Sequence, residues 1–171
     1  MISALLASEY FETREEELID ELITFYFGSK KTLQVGIVNF IYYVTKHPHV
    51  KDKLMSELDK PGCSEYLQMC WQETLRIEPP VAATFPWTVR RECTLSSKTQ
   101  SFKVTPGTQF AINIEAMHHD PAVWVEPNRF EPERFNPCSE PNKWTFAPSG
   151  KARNPLAFTP FLAGQRACAG K

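Results

Sequence analysis

The chain has 171 residues, 42% of them hydrophobic and 23% charged, with a formal net charge of −1. That length is enough to bury a core and to form one domain or part of a larger one. The balanced charge gives no electrostatic reason to expect a nucleic-acid partner or a charged membrane face.

Residues 1–17 carry acidic charge early and lack a clean apolar core, so they do not read as a signal peptide. Glu15–Glu21 is an acidic start, favourable at a helix N-terminus. The apolar residues that follow predict a long helix over about 15–46, buried along much of its length. Its most apolar run, Leu33–Thr45, is 13 residues and includes Gln34, Asn39 and Thr45, too short to cross a bilayer. "KHPHVKDKLMSELDKPG" predicts a short amphipathic helix over about 49–60, with Pro48 in its first turn and Pro61-Gly62 as its stop. "SEYLQMCWQETLRIEPP" predicts a third helix over about 64–77, with Ser64 as candidate N-cap and Pro79-Pro80 ending it.

Beyond residue 80 the texture changes. Of the 14 prolines, only Pro48, Pro61, Pro79 and Pro80 lie before that point. The runs "ECTL", "SFKV" and "TQFAINI", separated by turn signals such as Pro106-Gly107, predict a small sheet over about 93–115. Residues 120–160, rich in proline, aromatics and charge, read as a long ordered loop with at most short helices, a length usually tied to function. The fold class is mainly α with a small β-sheet, α+β.

Glu73 and Arg76 in "ETLR" share a helix face at i and i+3. They read either as an exposed pair worth ~0.2–0.5 kcal/mol or, with Arg134 of "FEPERF", as a buried carboxylate held by two guanidiniums. The five cysteines, Cys63, Cys70, Cys93, Cys138 and Cys168, are odd in number and show no C-x-x-C, which argues against a disulfide scaffold and a zinc finger. A lone cysteine is usually a small buried hydrophobe, but Cys168 sits in "FLAGQRACAGK". Gly164 and Gly170 let the backbone approach a flat partner. Arg166 puts a cation near the sulfur, and Phe161 offers an aromatic wall. The histidines His47, His49, His118 and His119 show no metal-ligand spacing and read as structural or exposed; in a strand, His118 and His119 would face opposite ways.

In their order, "ETLR", "FEPERF" and "FLAGQRACAG" resemble the cytochrome P-450 superfamily, the haem-thiolate monooxygenases. The last matches the family's F-x-x-G-x-R-x-C-x-G loop at Phe161, Gly164, Arg166, Cys168 and Gly170, and "HHDPAVW" matches the segment after the small sheet. The resemblance spans about residues 15–171. It implies a C-terminal portion of that fold holding haem b, with loop residues 161–170 as the cofactor site. Cys168 would be the axial thiolate on iron, pushing electron density toward O–O cleavage. Arg166 would pair with a haem propionate, and Phe161 would shield the sulfur. Glu73, Arg76 and Arg134 would form the structural lock of the haem loop. Counting 13 residues back from Lys46 puts Gly28, Ser29, Lys31 and Thr32 at the family's A/G-G-x-D/E-T motif. Thr32 would help deliver protons to oxygen, while Lys31 reverses the charge of the acid that supports that relay. The family's arginine past the prolines has Trp87 at its place, with Arg90 and Arg91 following.

The implied activity is insertion of one atom of O2 into an apolar organic substrate, with electrons from a reductase or ferredoxin and no nucleic-acid partner. Lys31 favours as alternative a haem-thiolate isomerase or dehydratase without O2 activation; a non-catalytic remnant is the third reading. A family member has further segments before the long helix and a helix after the cysteine. The chain is therefore expected to be a C-terminal fragment, to expose helix faces that pack elsewhere in the family, and alone neither to hold haem stably nor to turn over substrate. A membrane association would come only through parts not present. For a eukaryotic parent, the implied location is the cytosolic face of the endoplasmic reticulum membrane.

Overall fold

The computed structural model describes residues 2–60, 62, 65–97, 99–136 and 144–171; Pro61, Cys63, Ser64 and Cys138 of the sequence reading lie outside them. After a short helix α1 (Ile2–Leu6), the backbone of the structure is α2, a 32-residue helix from Glu15 to Lys46. Glu15, Glu16 and Glu17 in its first turn and Lys46 in its last both oppose the helix dipole. At 1.5 Å per residue it is about 48 Å long. Burial along much of its length was the expectation from its apolar content, and that is corrected: only Gly36 and Val44 are buried on it. Leu33, Ile37, Val38, Ile41 and Tyr42 are exposed, and Phe27 is 71% exposed. The reason is one-sided packing. Later elements meet α2 along the face of Gly36, Phe40, Tyr43 and Val44, and large apolar side chains on its other faces stay exposed among the described residues.

Helix α3 (Pro48–Leu58) starts on Pro48, whose missing N–H costs nothing at a first turn. It buries Val50 and Leu54. Helix α4 (Glu65–Ile77) is the central element. Tyr66, Met69, Cys70, Glu73 and Ile77 recur at helical spacing on its buried side. The Glu57 carboxylate of α3 accepts the amides of Tyr66, at 3.0 Å to each oxygen, and Leu67, at 3.3 Å. An anion thus satisfies free N–H groups at the positive end of α4. Val44, Val50, Leu54, Tyr66, Met69, Cys70, Ile77 and Phe130 form the core, with Phe40, Tyr43, Leu67 and Phe135 packed against it.

Among the described residues the strands form two separate two-stranded ribbons, where one sheet over 93–115 was expected. β1 (Trp87–Thr88) pairs antiparallel with β4 (Gln109–Phe110), and β2 (Cys93–Ser96) with β3 (Ser101–Val104). "TQFAINI" gives only Gln109 and Phe110 to a strand. Its end turns into helix α5 (Ile114–His118), because the Asn113 side chain accepts the Ala116 amide at 2.8 Å and caps a helix there. His118 therefore ends a helix, and it is fully buried. The rest of the described residues are irregular chain with short 3-10 turns at Glu9–Phe11, Pro132–Phe135, Pro155–Ala157 and Gly164–Arg166. None of the described helices is long and apolar enough to cross a membrane.

Candidate functional site

The most buried charges lie where α4 meets the turn at Pro132–Phe135. Glu73 and Arg76, one turn apart on α4, form a bidentate pair: Arg76 Nε donates to Glu73 Oε2 at 2.7 Å and Nη2 to Oε1 at 2.8 Å. Arg134 Nε donates to Oε1 at 3.1 Å, and the Glu131 amide donates to the same oxygen at 2.8 Å. All three side chains are 0% exposed, so the pair is no solvated surface bridge. Further guanidinium hydrogens reach backbone carbonyls. Arg76 Nη1 donates to His118 O at 2.8 Å and Nη2 to Arg129 O at 3.2 Å. Arg134 donates to the carbonyls of Val125, Glu126 and Arg129. These bonds offset part of the large cost of taking three charges out of water. The guanidiniums also lie over indole rings, Arg76 over Trp124 at 5.2 Å and Arg134 over Trp144 at 4.8 Å.

Two members of this network had no signal in the sequence. Arg153 donates Nη2 to Arg134 O at 2.9 Å and covers the Trp124 ring at 4.4 Å. Burial, then repulsion from Arg134, pulls its pKa down to about 10. His118 is the other. Its carbonyl receives Arg76, and its ring Nε2 accepts the Thr159 amide at 3.1 Å. Burial, then the Arg76 charge, lowers its pKa to about 4.

From Thr159 the chain enters the cysteine loop. The Leu162 amide donates to Thr159 O at 3.0 Å, and the Cys168 amide to Phe161 O at 2.8 Å. Leu162 and Gly164 take φ of +60° and +78°. At Gly164 a side chain would be strained by that φ, and the space beside its Cα is open. These turns fold residues 161–170 back on themselves and leave Cys168 exposed. Its Sγ accepts the Gly170 amide at 3.3 Å. Phe161 is half-buried beside the loop, and Arg166 is exposed.

These features fit a flat, anionic, metal-bearing cofactor. An accessible sulfur that accepts an amide N–H is prepared to carry negative charge. The open space at Gly164 leaves the backbone free to be approached. The exposed guanidinium of Arg166 can face an anionic group. Among the described residues there is no cluster of three or more His, Cys, Asp or Glu that could hold a metal ion.

Thr32, on α2, is half-buried, and its hydroxyl donates to Gly28 O at 2.7 Å and, more weakly, to Ser29 O at 3.4 Å. Lys31 is exposed. No hydrogen bond among the described residues brings Thr32 to Cys168. Trp87 is half-buried on β1 against Phe110, with ring centroids 5.6 Å apart, and Arg90 and Arg91 are exposed.

The cytochrome P450 family model matches residues 1–171. Curated relatives include cytochrome P450 4F3 of Rattus norvegicus, 33% identical over 92% of this chain and 30% of its own length. Cytochrome P450 4F8 of Homo sapiens is 32% identical over 99% of this chain and 33% of its own. Among solved structures, the retinoic acid-bound cyanobacterial CYP120A1 is 26% identical, with a TM-score of 0.73 over 90% of this chain and 34% of that one. An abiraterone complex of a zebra fish cytochrome P450 shares the fold at a TM-score of 0.75 over 99% of this chain and 41% of that one. The chain belongs to the cytochrome P450 family, whose members are haem-thiolate monooxygenases. It spans about a third of the length of the curated relatives it matches.

Proposed function

We propose that this chain is the haem-binding portion of a monooxygenase that inserts one oxygen atom of O2 into an apolar organic substrate, with electrons from a protein redox partner. The observation that supports it most is the exposed Cys168 sulfur, hydrogen-bonded to the Gly170 amide on a loop rooted at Thr159. Haem b, when bound, supplies the redox and dioxygen chemistry. Cys168 would be its protein ligand, and the Gly170 N–H would stabilise the negative charge on the sulfur. Arg166 would pair with a carboxylate of the cofactor, and Phe161 would shield the sulfur. Gly164 and Gly170 supply the backbone shape. Glu73, Arg76 and Arg134 touch no cofactor atom in this reading; they fix the irregular chain that carries the loop. Thr32 holds a proton at Oγ1, directed in this structure to Gly28 O. Lys31, next to it in the chain, carries an exposed ammonium, which donates protons and does not accept them while charged. For a eukaryotic parent, the proposed location is the cytosolic face of the endoplasmic reticulum membrane.

The chain alone is expected not to hold haem stably, so reduction under carbon monoxide of a haem-loaded parent protein that carries these residues tests the reading. The expected result is a red-shifted Soret band of thiolate ligation, lost in Cys168→Ser and kept in Cys93→Ser. A band that survives Cys168→Ser would overturn it.

A further inference from the structure

We infer that His118 is a positioning residue for the Cys168 loop, a neutral imidazole that tethers the root of the loop to the Glu73–Arg76 pair. His118 is 0% exposed at the end of α5. It is held from both sides. Its carbonyl accepts Arg76 Nη1 at 2.8 Å, and Arg76 is locked to Glu73 by two further bonds. Its ring Nε2 accepts the Thr159 amide at 3.1 Å, and the ring lies against Phe158, centroids 5.3 Å apart. Thr159 O accepts Leu162, Phe161 O accepts Cys168, and Cys168 Sγ accepts Gly170. One run of hydrogen bonds and short peptide thus leads from the most buried carboxylate of the fold to the exposed sulfur.

The tautomer follows from the partner. A backbone amide only donates, so Nε2 must carry no proton, and the proton of the neutral ring sits on Nδ1. Nδ1 has no hydrogen bond of full geometry among the described residues, but the ring's interaction with the backbones of Arg76 and Leu75 favours a proton on it. Burial and the adjacent Arg76 charge keep the ring neutral well below physiological pH, which keeps Nε2 an acceptor. A protonated ring would offer two donors and lose the Thr159 bond.

The functional meaning of this tether rests on the reading of Cys168 as the haem ligand; the tether itself does not, and its test is made on the chain without haem. Amide hydrogen exchange is compared for wild type, His118→Phe, which keeps a ring and removes the acceptor, and His118→Gln, whose carboxamide oxygen can accept. Losing one such bond is expected to speed exchange at Thr159 and Cys168 about tenfold in His118→Phe. Exchange at Glu73–Ile77 should stay within about twofold of wild type, and His118→Gln should restore most of the loop protection. Unchanged Thr159 and Cys168 exchange, or an equal acceleration along α4, overturns the assignment. Wild-type chain labelled with 15N-histidine gives a second measurement that needs no variant to fold. His118 should show a proton on Nδ1 and a bare Nε2 at neutral pH; a proton on Nε2 overturns the inference. A failed Cys168→Ser haem experiment would remove the ligand reading and leave these amide results to be judged separately.

Discussion

At the scale of single residues the decisive group is Glu73. Its carboxylate accepts from Arg76 twice, from Arg134 and from the Glu131 amide, with no exposed surface. Glu73→Gln keeps the shape and removes the charge, leaving two guanidiniums buried without a counter-ion. Breaking one side of a buried ion cluster costs ~3–5 kcal/mol, so the urea midpoint should fall by an amount of that order. Arg134→Lys should also destabilise, because an ammonium cannot span Glu73 and three carbonyls at once. A Glu73→Gln midpoint at the wild-type value would mean that the cluster contributes nothing. The spacing of Glu73 and Arg76 was visible in the sequence, but their burial with Arg134 stood there only as one of two readings. It is created by Arg129, Glu131 and Arg134, more than fifty positions on, and an i,i+3 pair looks the same whether solvent or a loop covers it.

At the scale of elements, α2 carries a contrast between two glycines. At Gly36 an added Cβ would lie 3.0 Å from Trp71 Cη2, where α2 crosses α4. At Gly28 nothing stands within 4 Å. Gly36→Val should therefore separate the two helices and cost ~1–3 kcal/mol as overpacking. Gly28→Ala should add up to about 1 kcal/mol through helix propensity. Thermal unfolding of the two variants checks both signs, and a stabilised Gly36→Val would refute the close crossing. The helices themselves were legible, because acidic starts, Pro48 and Pro79-Pro80 are local signals of where a helix begins and ends. Which face of α2 is covered was not, since apolar residues run around it and the choice lies with α4. The ribbons and α5 were read poorly for another reason. Two-residue strands such as Trp87–Thr88 have no alternation to detect, and the Asn113 cap turns a run of strand-like residues into a helix. The cysteine loop was legible as a motif because its requirements are local glycines and one thiol. Its root on His118 was not, since that contact joins residues 41 positions apart.

At the scale of the whole molecule the acid–base behaviour of folding is a balance of two buried groups with opposite signs. Glu131 is raised from 4.5 to about 7, first by burial, then by its hydrogen bond and proximity to Glu133. The folded chain holds that proton after the unfolded chain has released it. Its stabilising contribution is complete below pH 4.5 and is lost as pH rises toward 7. His118 is lowered from 6.5 to about 4. Its contribution is complete above pH 6.5 and is lost as pH falls toward 4. Burial alone would raise Glu133, but hydrogen bonds from Glu131 and Lys53 outweigh it and hold it below 4.5, so its window lies lower. With 19 basic and 20 acidic residues, the remaining charges add little net field to tilt the profile. Between pH 4.5 and 6.5 the two slopes oppose each other, and wild-type stability should be nearly flat. Glu131→Gln removes the falling slope, so stability should then rise with pH, by at most ~1.4 kcal/mol per pH unit for one proton. His118→Gln removes the rising slope, and stability should then fall across the same interval. Urea midpoints measured at half-unit steps decide it: parallel profiles for wild type and both variants would show that neither group titrates out of step with the unfolded chain.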